Sequence, residues 1–285
     1  MAIDNHVRNP VEWGAHRLAG MFRSIGAAAR ALHVPEELEE LPAVRKIGLE
    51  DIRTAIKRGL EDLGSFRSDA ISLAVIYPLA GIVLAFAAGT NNLLPLVFPL
   101  ASGFALIGPV AGIGLYALSR RREMEAAGEK ETGTPPAYGA IAVVGLVLFA
   151  IFLAWLVAAW WIYLATVGPE APHSIAAFVR DVFMTGPGWT MIVIGMGVGF
   201  LFAVAALSIG VISFPLMVDR PVGPLTAIRT SFSAVARNPG TMAVWGAIVA
   251  AGLVIGSLPA LLGLVIVIPL FGHATWHLYR RLIPR

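Results

Sequence analysis

The sequence predicts an all-α polytopic membrane bundle of six transmembrane helices, with both termini cytoplasmic and amphipathic helices lying in the interface. Three observations predict it. Hydrophobic residues make up 57% of the 285 and charged residues only 14%, with a mean hydropathy of +0.77, far from the composition of a soluble domain. Six uncharged runs come close to the ~20 residues that a helix needs to cross a hydrocarbon core about 30 Å thick. Finally, 20 of the 21 Lys and Arg residues fall on one side of a six-span count, with Arg180 alone on the other, as expected when short cytoplasmic segments carry the basic excess.

The chain begins with a basic, alanine-rich segment and an acidic linker, "PEELEELP", which together occupy residues 1–43. Many charges and no long apolar core precede residue 65, so a cleavable secretory signal is not expected. The integral membrane domain is 44–285. It opens on "VRKIGLEDIRTAIKRGLEDL", where Leu49, Ile52, Ile56, Leu60 and Leu63 recur at steps of three and four and Glu50, Arg53, Lys57 and Glu61 take the other face, the pattern of an amphipathic helix.

The spans follow at 70–88, 94–118, 138–166, 190–217, 241–257 and 260–279. Residues 241–279 form one apolar block interrupted only by "GSLP", too long for a single crossing, and the Gly-Ser-Leu-Pro step predicts a turn and a helical hairpin. Two connections carry their own helical pattern. Ile175, Phe178, Val179, Val182 and Phe183 share a face after Ser174 as N-cap, with "TGPG" as the stop; Leu225, Ile228, Phe232 and Val235 do so before "NPG".

Aromatic and basic residues at the span ends are expected to anchor the bundle at headgroup level. On the outer side these are Trp160, Trp161 and Trp189; on the inner side they are Tyr116, Arg120, Arg121, Trp245, Trp276, Arg280 and Arg281. Pro78, Pro109, Pro215 and Pro269 lie within spans and predict helix kinks. Gly108 and Gly112, Gly195 and Gly199, and Gly252 and Gly256 stand at GxxxG spacing and predict close helix packing, with the same chain or another.

The chain also resembles itself at an offset of 160 residues: "GPVAGIGLYALSRR" aligns with "IPLFGHATWHLYRR". Gly103 pairs with Gly263, Pro109 with Pro269, Gly112 with Gly272, Tyr116 with Trp276, Leu118 with Leu278, Arg120 with Arg280 and Arg121 with Arg281. This predicts a parallel repeat of helical hairpins, and Pro215, Asp219 and Arg220 give the fourth span a related ending. His273 and His277 stand outside the repeat, because their counterparts are Ile113 and Ala117.

Little chemistry is written in the sequence. With no cysteine, the chain can form no disulfide, thiolate nucleophile or iron–sulfur site. No phosphate-binding GxxxxGK[ST] loop, GxSxG elbow or HExxH helix is present, so an enzyme is not expected, nor is a cofactor. No span has an interior Asp, Glu, Lys or Arg, which disfavours a pump or coupled transporter. Serines such as Ser102, Ser208 and Ser213 either line a path or make structural hydrogen bonds. His273 and His277, at i and i+4 on one helix face, are either polar groups of the inner interface or a partial metal or haem site, with Asp219 the one carboxylate expected nearby. The basic residues are spread over span ends rather than gathered on one surface, so nucleic acid is not an expected partner. The expected partners are the phospholipid bilayer and other membrane subunits or a second copy.

From Val44 onward, the stretches "VRKIGLEDIRTAIKRGLEDL", "SDAISLAVIYPLAGIVLA", "LPLVFPLASGFALIGPVAGIGLYALSRRRE", "FPLMVDRPVGPLTAIRTSF" and "PLFGHATWHLYRR" resemble uncharacterised bacterial integral-membrane proteins grouped as a domain of unknown function. The resemblance implies a multi-helix protein of the bacterial cytoplasmic membrane. Some of these relatives are labelled similar to subunit I of cytochrome c oxidase. This chain does not fit that role, since a haem–copper core needs six histidine ligands within the membrane and only His273 and His277 are placed to serve. The expected function is therefore a non-enzymatic accessory, assembly or lipid-organising component. A small-solute channel or carrier built on proline-bent hairpins is the alternative, and metal or haem binding at the two histidines the third.

Overall fold

The computed structural model describes residues 41–65, 79, 81, 82, 86, 94–103, 112–128, 136–169 and 174–284. Among these, regular structure is helical throughout. Most of the expected first span 70–88 lies outside the described residues, as do Pro78, Gly108, Pro109 and residues 1–40.

Helix α1, Leu49–Ser65, starts where Asp51 accepts the Gly48 N–H at 2.9 Å. This is half of a capping box, and Glu50 and Asp51 also suit the positive end of the helix. A shorter apolar helix occupies Leu94–Gly103. Helix α2, Ile113–Ala126, runs past the expected span end at 118 into "SRRREMEA".

Among the described residues, three helical stretches are long and apolar enough to cross a membrane. The first is α3, Tyr138–Thr166, whose 29 residues reach about 43 Å at 1.5 Å per residue. After the short helix α4, Ile175–Met184, N-capped by Ser174, comes the second, the stretch Gly186–Asp219. Thr185 caps its start through the Gly188 N–H at 3.1 Å.

This second stretch is two helices, α5, Gly186–Gly210, and α6, Ser213–Asp219, separated at Val211 and Ile212. The break lies four residues before Pro215, where the proline ring meets the i−4 carbonyl and no N–H is available to it. Side chains take up the freed backbone groups. Ser213 Oγ donates to the Ile209 carbonyl, and the Ile212 N–H donates to Ser231 Oγ at 3.2 Å. Ser213 thus has a structural role, as has Ser102, which donates to the Pro99 carbonyl and receives the Trp155 indole N–H at 3.2 Å. Replacing Ser231 with alanine orphans a buried donor and is expected to destabilise the folded protein by about 1 kcal/mol. Thermal denaturation in detergent reads this, and an unchanged midpoint would show that the bond contributes nothing.

Helix α7, Pro224–Arg237, connects to the third long apolar helix, α8, Pro239–Ser257. The expected hairpin follows, with its turn a little later than "GSLP": Ala260 and Leu261 take left-handed φ values of 49° and 68°, and α9, Leu264–Leu282, begins four residues after the expected start of the last span. Gly252 and Gly256 close this hairpin, since a Cβ on Gly252 would fall 2.4 Å from the Phe271 ring and one on Gly256 would fall 3.0 Å from Val267. A Cβ on Gly199 would sit 3.0 Å from Trp155. The other expected packing positions differ: nothing lies within 4 Å of such an atom on Gly195, and at Gly112 the near neighbour is Tyr116 of the next turn.

The buried faces of the amphipathic helices match expectation in part: on α1, Ile52 is buried, Ile56 packs against the core, and Glu50, Arg53, Lys57 and Glu61 are exposed as expected. On α1 the buried residues are Ile52, Ala55, Gly59 and Asp62, whereas Leu49 and Leu60 of the expected apolar face are exposed, Leu60 by 59%. On α7 the buried set is Thr226, Ala227, Thr230, Ser231 and Ala234, and Phe232 is 62% exposed. On α4, Val182 alone is buried, while Ile175, Val179 and Phe183 face outward. The physical reason is the solvent. In water a helix turns its large apolar residues inward; beside lipid they cost nothing outside, and small residues let backbones approach.

Candidate functional site

Helix α9 makes its most extensive contact with α1 and also packs on α2 and α8. From Gly272 onward it is almost wholly buried, with His273, Ala274, Trp276, Leu278 and Tyr279 at or near zero exposure. The approach to α1 is closest at Gly59, where a Cβ would lie 2.7 Å from the Ala274 backbone nitrogen. One turn further along α1, Asp62 enters the interface.

Asp62, 3% exposed, is the centre of a polar cluster drawn from three helices. Arg122 Nη1 and Ser119 Oγ of α2 each donate to its carboxylate. His277 Nε2 of α9 lies 2.8 Å from Oδ2, and His273 Nδ1 lies 4.0 Å from the same oxygen and 2.8 Å from Ser119 Oγ. A hydroxyl has a single proton and a carboxylate only accepts. Ser119 therefore donates to Asp62 and accepts from His273, which assigns the proton of that imidazole to Nδ1. Burial pushes the Asp62 carboxyl up, but hydrogen bonds from His277, Ser119 and Arg122 and the charge of His277 outweigh it, so the group sits below its ordinary value.

A second cluster lies beside the first. Asp219, at the end of α6, accepts from Tyr279 Oη at 2.6 Å and Arg280 Nη1 at 3.1 Å, with Arg120 Nε at 3.8 Å and Arg220 Nε at 3.6 Å. Glu123 takes the other side of the Arg280 fork at 2.9 Å and 3.1 Å and accepts the Trp276 indole N–H at 3.2 Å. The Arg280 guanidinium also lies 5.9 Å from the Trp276 ring, within cation–π range.

These contacts revise several expected roles. Tyr116, Trp245 and Trp276, expected at headgroup level, are buried inside the protein; Trp161 and Trp189 are exposed, and Trp160 is half-buried. Arg120 and Arg280 are half-buried and converge on Asp219, whereas their neighbours Arg121 and Arg281 are exposed and pair with Glu125 at 2.8 Å and Asp51 at 3.7 Å. Of the repeat positions, Arg120 and Arg280 thus share a partner, whereas Arg121 and Arg281 do not. Pro269 stands inside α9 and is buried.

For the histidines the structure supplies the partner that the sequence left out. Asp62 belongs to no sequence motif, although Ile52, Ala55, Gly59 and Asp62 recur at steps of three and four. Glu123 was equally unassigned. The histidine nitrogens named above face Asp62 and Ser119, and among the described residues no three His, Asp or Glu side chains are grouped to hold a metal ion. Chemically the arrangement is an electrostatic lock: it fixes α1, α2, α6 and α9 at one end of the bundle.

Fold and site together define a helical integral membrane protein with a charged, ion-paired end. Residues 97–219 match a family described as "Predicted integral membrane protein (DUF2189)", an uncharacterised integral-membrane family as the sequence resemblance implied. No curated protein and no solved structure matches the chain.

Proposed function

We propose that this chain is a non-enzymatic accessory, assembly or lipid-organising component of the bacterial cytoplasmic membrane, crossing it six times with both termini and the charged end cytoplasmic. The observation that carries this reading is how the described residues divide their surface. At the charged end, Asp62, Glu123 and Asp219 are each committed to several partners within the chain. Outside it, only 11% of the most apolar stretch in Gly186–Asp219 is buried within the chain, leaving its surface to lipid or to other helices. The basic residues support the orientation.

The close α8–α9 contact, with Gly252 against Phe271 and Gly256 against Val267, supports this reading over a solute path between those two helices. Extraction in a mild detergent followed by native mass spectrometry tests it. The expected result is a complex with a second membrane protein, a second copy or retained phospholipid. A bare, monodisperse monomer would overturn it.

A further inference from the structure

Beside the Asp62 cluster, the charged end holds an open cavity of about 600 Å³. Its cations are Arg45, Lys46, Arg58, Arg280 and Arg281, and His277 lies on its wall. Two of the five are compensated, Arg280 by Glu123 and Asp219 and Arg281 by Asp51. Among the described residues Arg45, Lys46 and Arg58 form no ion pair, so three positive charges converge on one space with no acidic partner among those residues.

The placement of Arg45 and Lys46 is built into the fold. Asn238, 5% exposed, accepts the Ile47 N–H at 2.8 Å through Oδ1 and donates Nδ2 to the Arg45 carbonyl at 3.1 Å. Thr241 donates to the Ile47 carbonyl at 3.0 Å, and the Arg45 N–H reaches the Leu282 carbonyl at 2.9 Å. A buried amide and the end of α9 therefore hold this strap against the cavity, although Arg45 and Ile47 are remote in sequence from all three partners. An extended loop with adjacent cations has no need of such fixing merely to be soluble.

We propose that this cavity is a binding site for a phosphate-bearing anion, either a phospholipid headgroup or a soluble phosphate ester. Three uncompensated cations favour a phosphate, which carries one negative charge as the diester of a phospholipid and up to two as a soluble monoester. A volume of about 600 Å³ is in the range of small-molecule sites and admits the phosphate together with the group it esterifies. Basic pockets at the ends of membrane helices are suited to anionic headgroups. The proposal deepens the lipid-organising branch of the function above and rests on that reading only for its position at headgroup level; it does not need a protein partner.

The test uses the purified full-length chain. One arm measures retention of phosphatidylglycerol against phosphatidylcholine by native mass spectrometry from mixed micelles. The other measures the thermal midpoint with inorganic phosphate and with glycerol phosphate. The key variant is Arg45→Gln/Lys46→Gln/Arg58→Gln; the control, Arg53→Gln/Lys57→Gln, removes two α1 charges that do not line the cavity.

At about one kcal/mol for each cation near an anionic surface, the triple variant is expected to lose about a hundredfold in affinity, with an unchanged midpoint when no ligand is present. Selective retention of phosphatidylglycerol identifies a headgroup, and a midpoint raised by glycerol phosphate or phosphate identifies a soluble ester. The proposal fails if the wild type binds neither, or if the triple variant binds no more weakly than the control. Neither failure bears on whether a protein partner copurifies.

Discussion

Replacing Asp62 with alanine is expected to destabilise the folded bundle by about 3–5 kcal/mol, the range for breaking a buried charge pair from one side. The substitution leaves Arg122, Ser119 and His277 facing each other with no carboxylate between them, and it removes the contact that ties α1 to both α2 and α9. Denaturation in mixed detergent followed by tryptophan fluorescence measures it, with the wholly buried Trp276 contributing to the signal. A loss below about 1 kcal/mol, the value for an exposed pair, would show that the cluster is solvated and the three helices are joined by other means.

The same residue predicts a pH dependence of definite sign. Its carboxyl sits below the ordinary value of 3.8, so the native state holds the ionised form more strongly than the unfolded chain does. That stabilisation is complete above pH 3.8 and is lost as pH falls through the lower, folded value. The stability gap between wild type and Asp62→Asn should therefore close as pH falls below 3.8 through the folded value. A gap that grew as pH fell below 3.8 would reverse the assignment.

The second large effect is at Gly59. In an exposed helix, glycine to alanine gains about 1 kcal/mol in helix propensity. Here the added methyl would sit 2.7 Å from the Ala274 nitrogen and 2.9 Å from its Cα. Both are backbone atoms that no rotamer change can move, so α1 must lift away from α9. Gly59→Ala is expected to destabilise by about 1–3 kcal/mol, as overpacked sites do. Gly64→Ala in the same helix, with nothing within 4 Å, should be neutral or stabilising. Equal behaviour of the two variants in detergent melts would mean that α1 is not seated on α9.

Much of the fold was legible because it follows from local rules. The span at 138–166 coincides with α3, since an uninterrupted apolar run has one way to satisfy its backbone in lipid. Ser174 caps α4 and Pro215 sits four residues beyond a helix break, because caps and proline act within one turn. The hairpin of α8 and α9 was equally readable from a block too long to cross once.

The packing faces were not legible, for a reason specific to membranes. Periodicity marks where the large apolar residues of a helix lie, but only water makes that face the buried one. On α1 and α7 most of the fully buried residues are small or polar, with Ile52 the large exception, and Leu60 and Phe232 point away from the chain. The sequence by itself thus determined the helical class, the span at 138–166 and the local caps and break beside Ser174 and Pro215. Only the tertiary structure decided that Arg120 and Arg280 share Asp219 and that His273 and His277 answer to Asp62, some 211 and 215 positions away. A carboxylate buried among such partners is selected by the geometry of three helices meeting, and no local pattern in any one of them records that meeting.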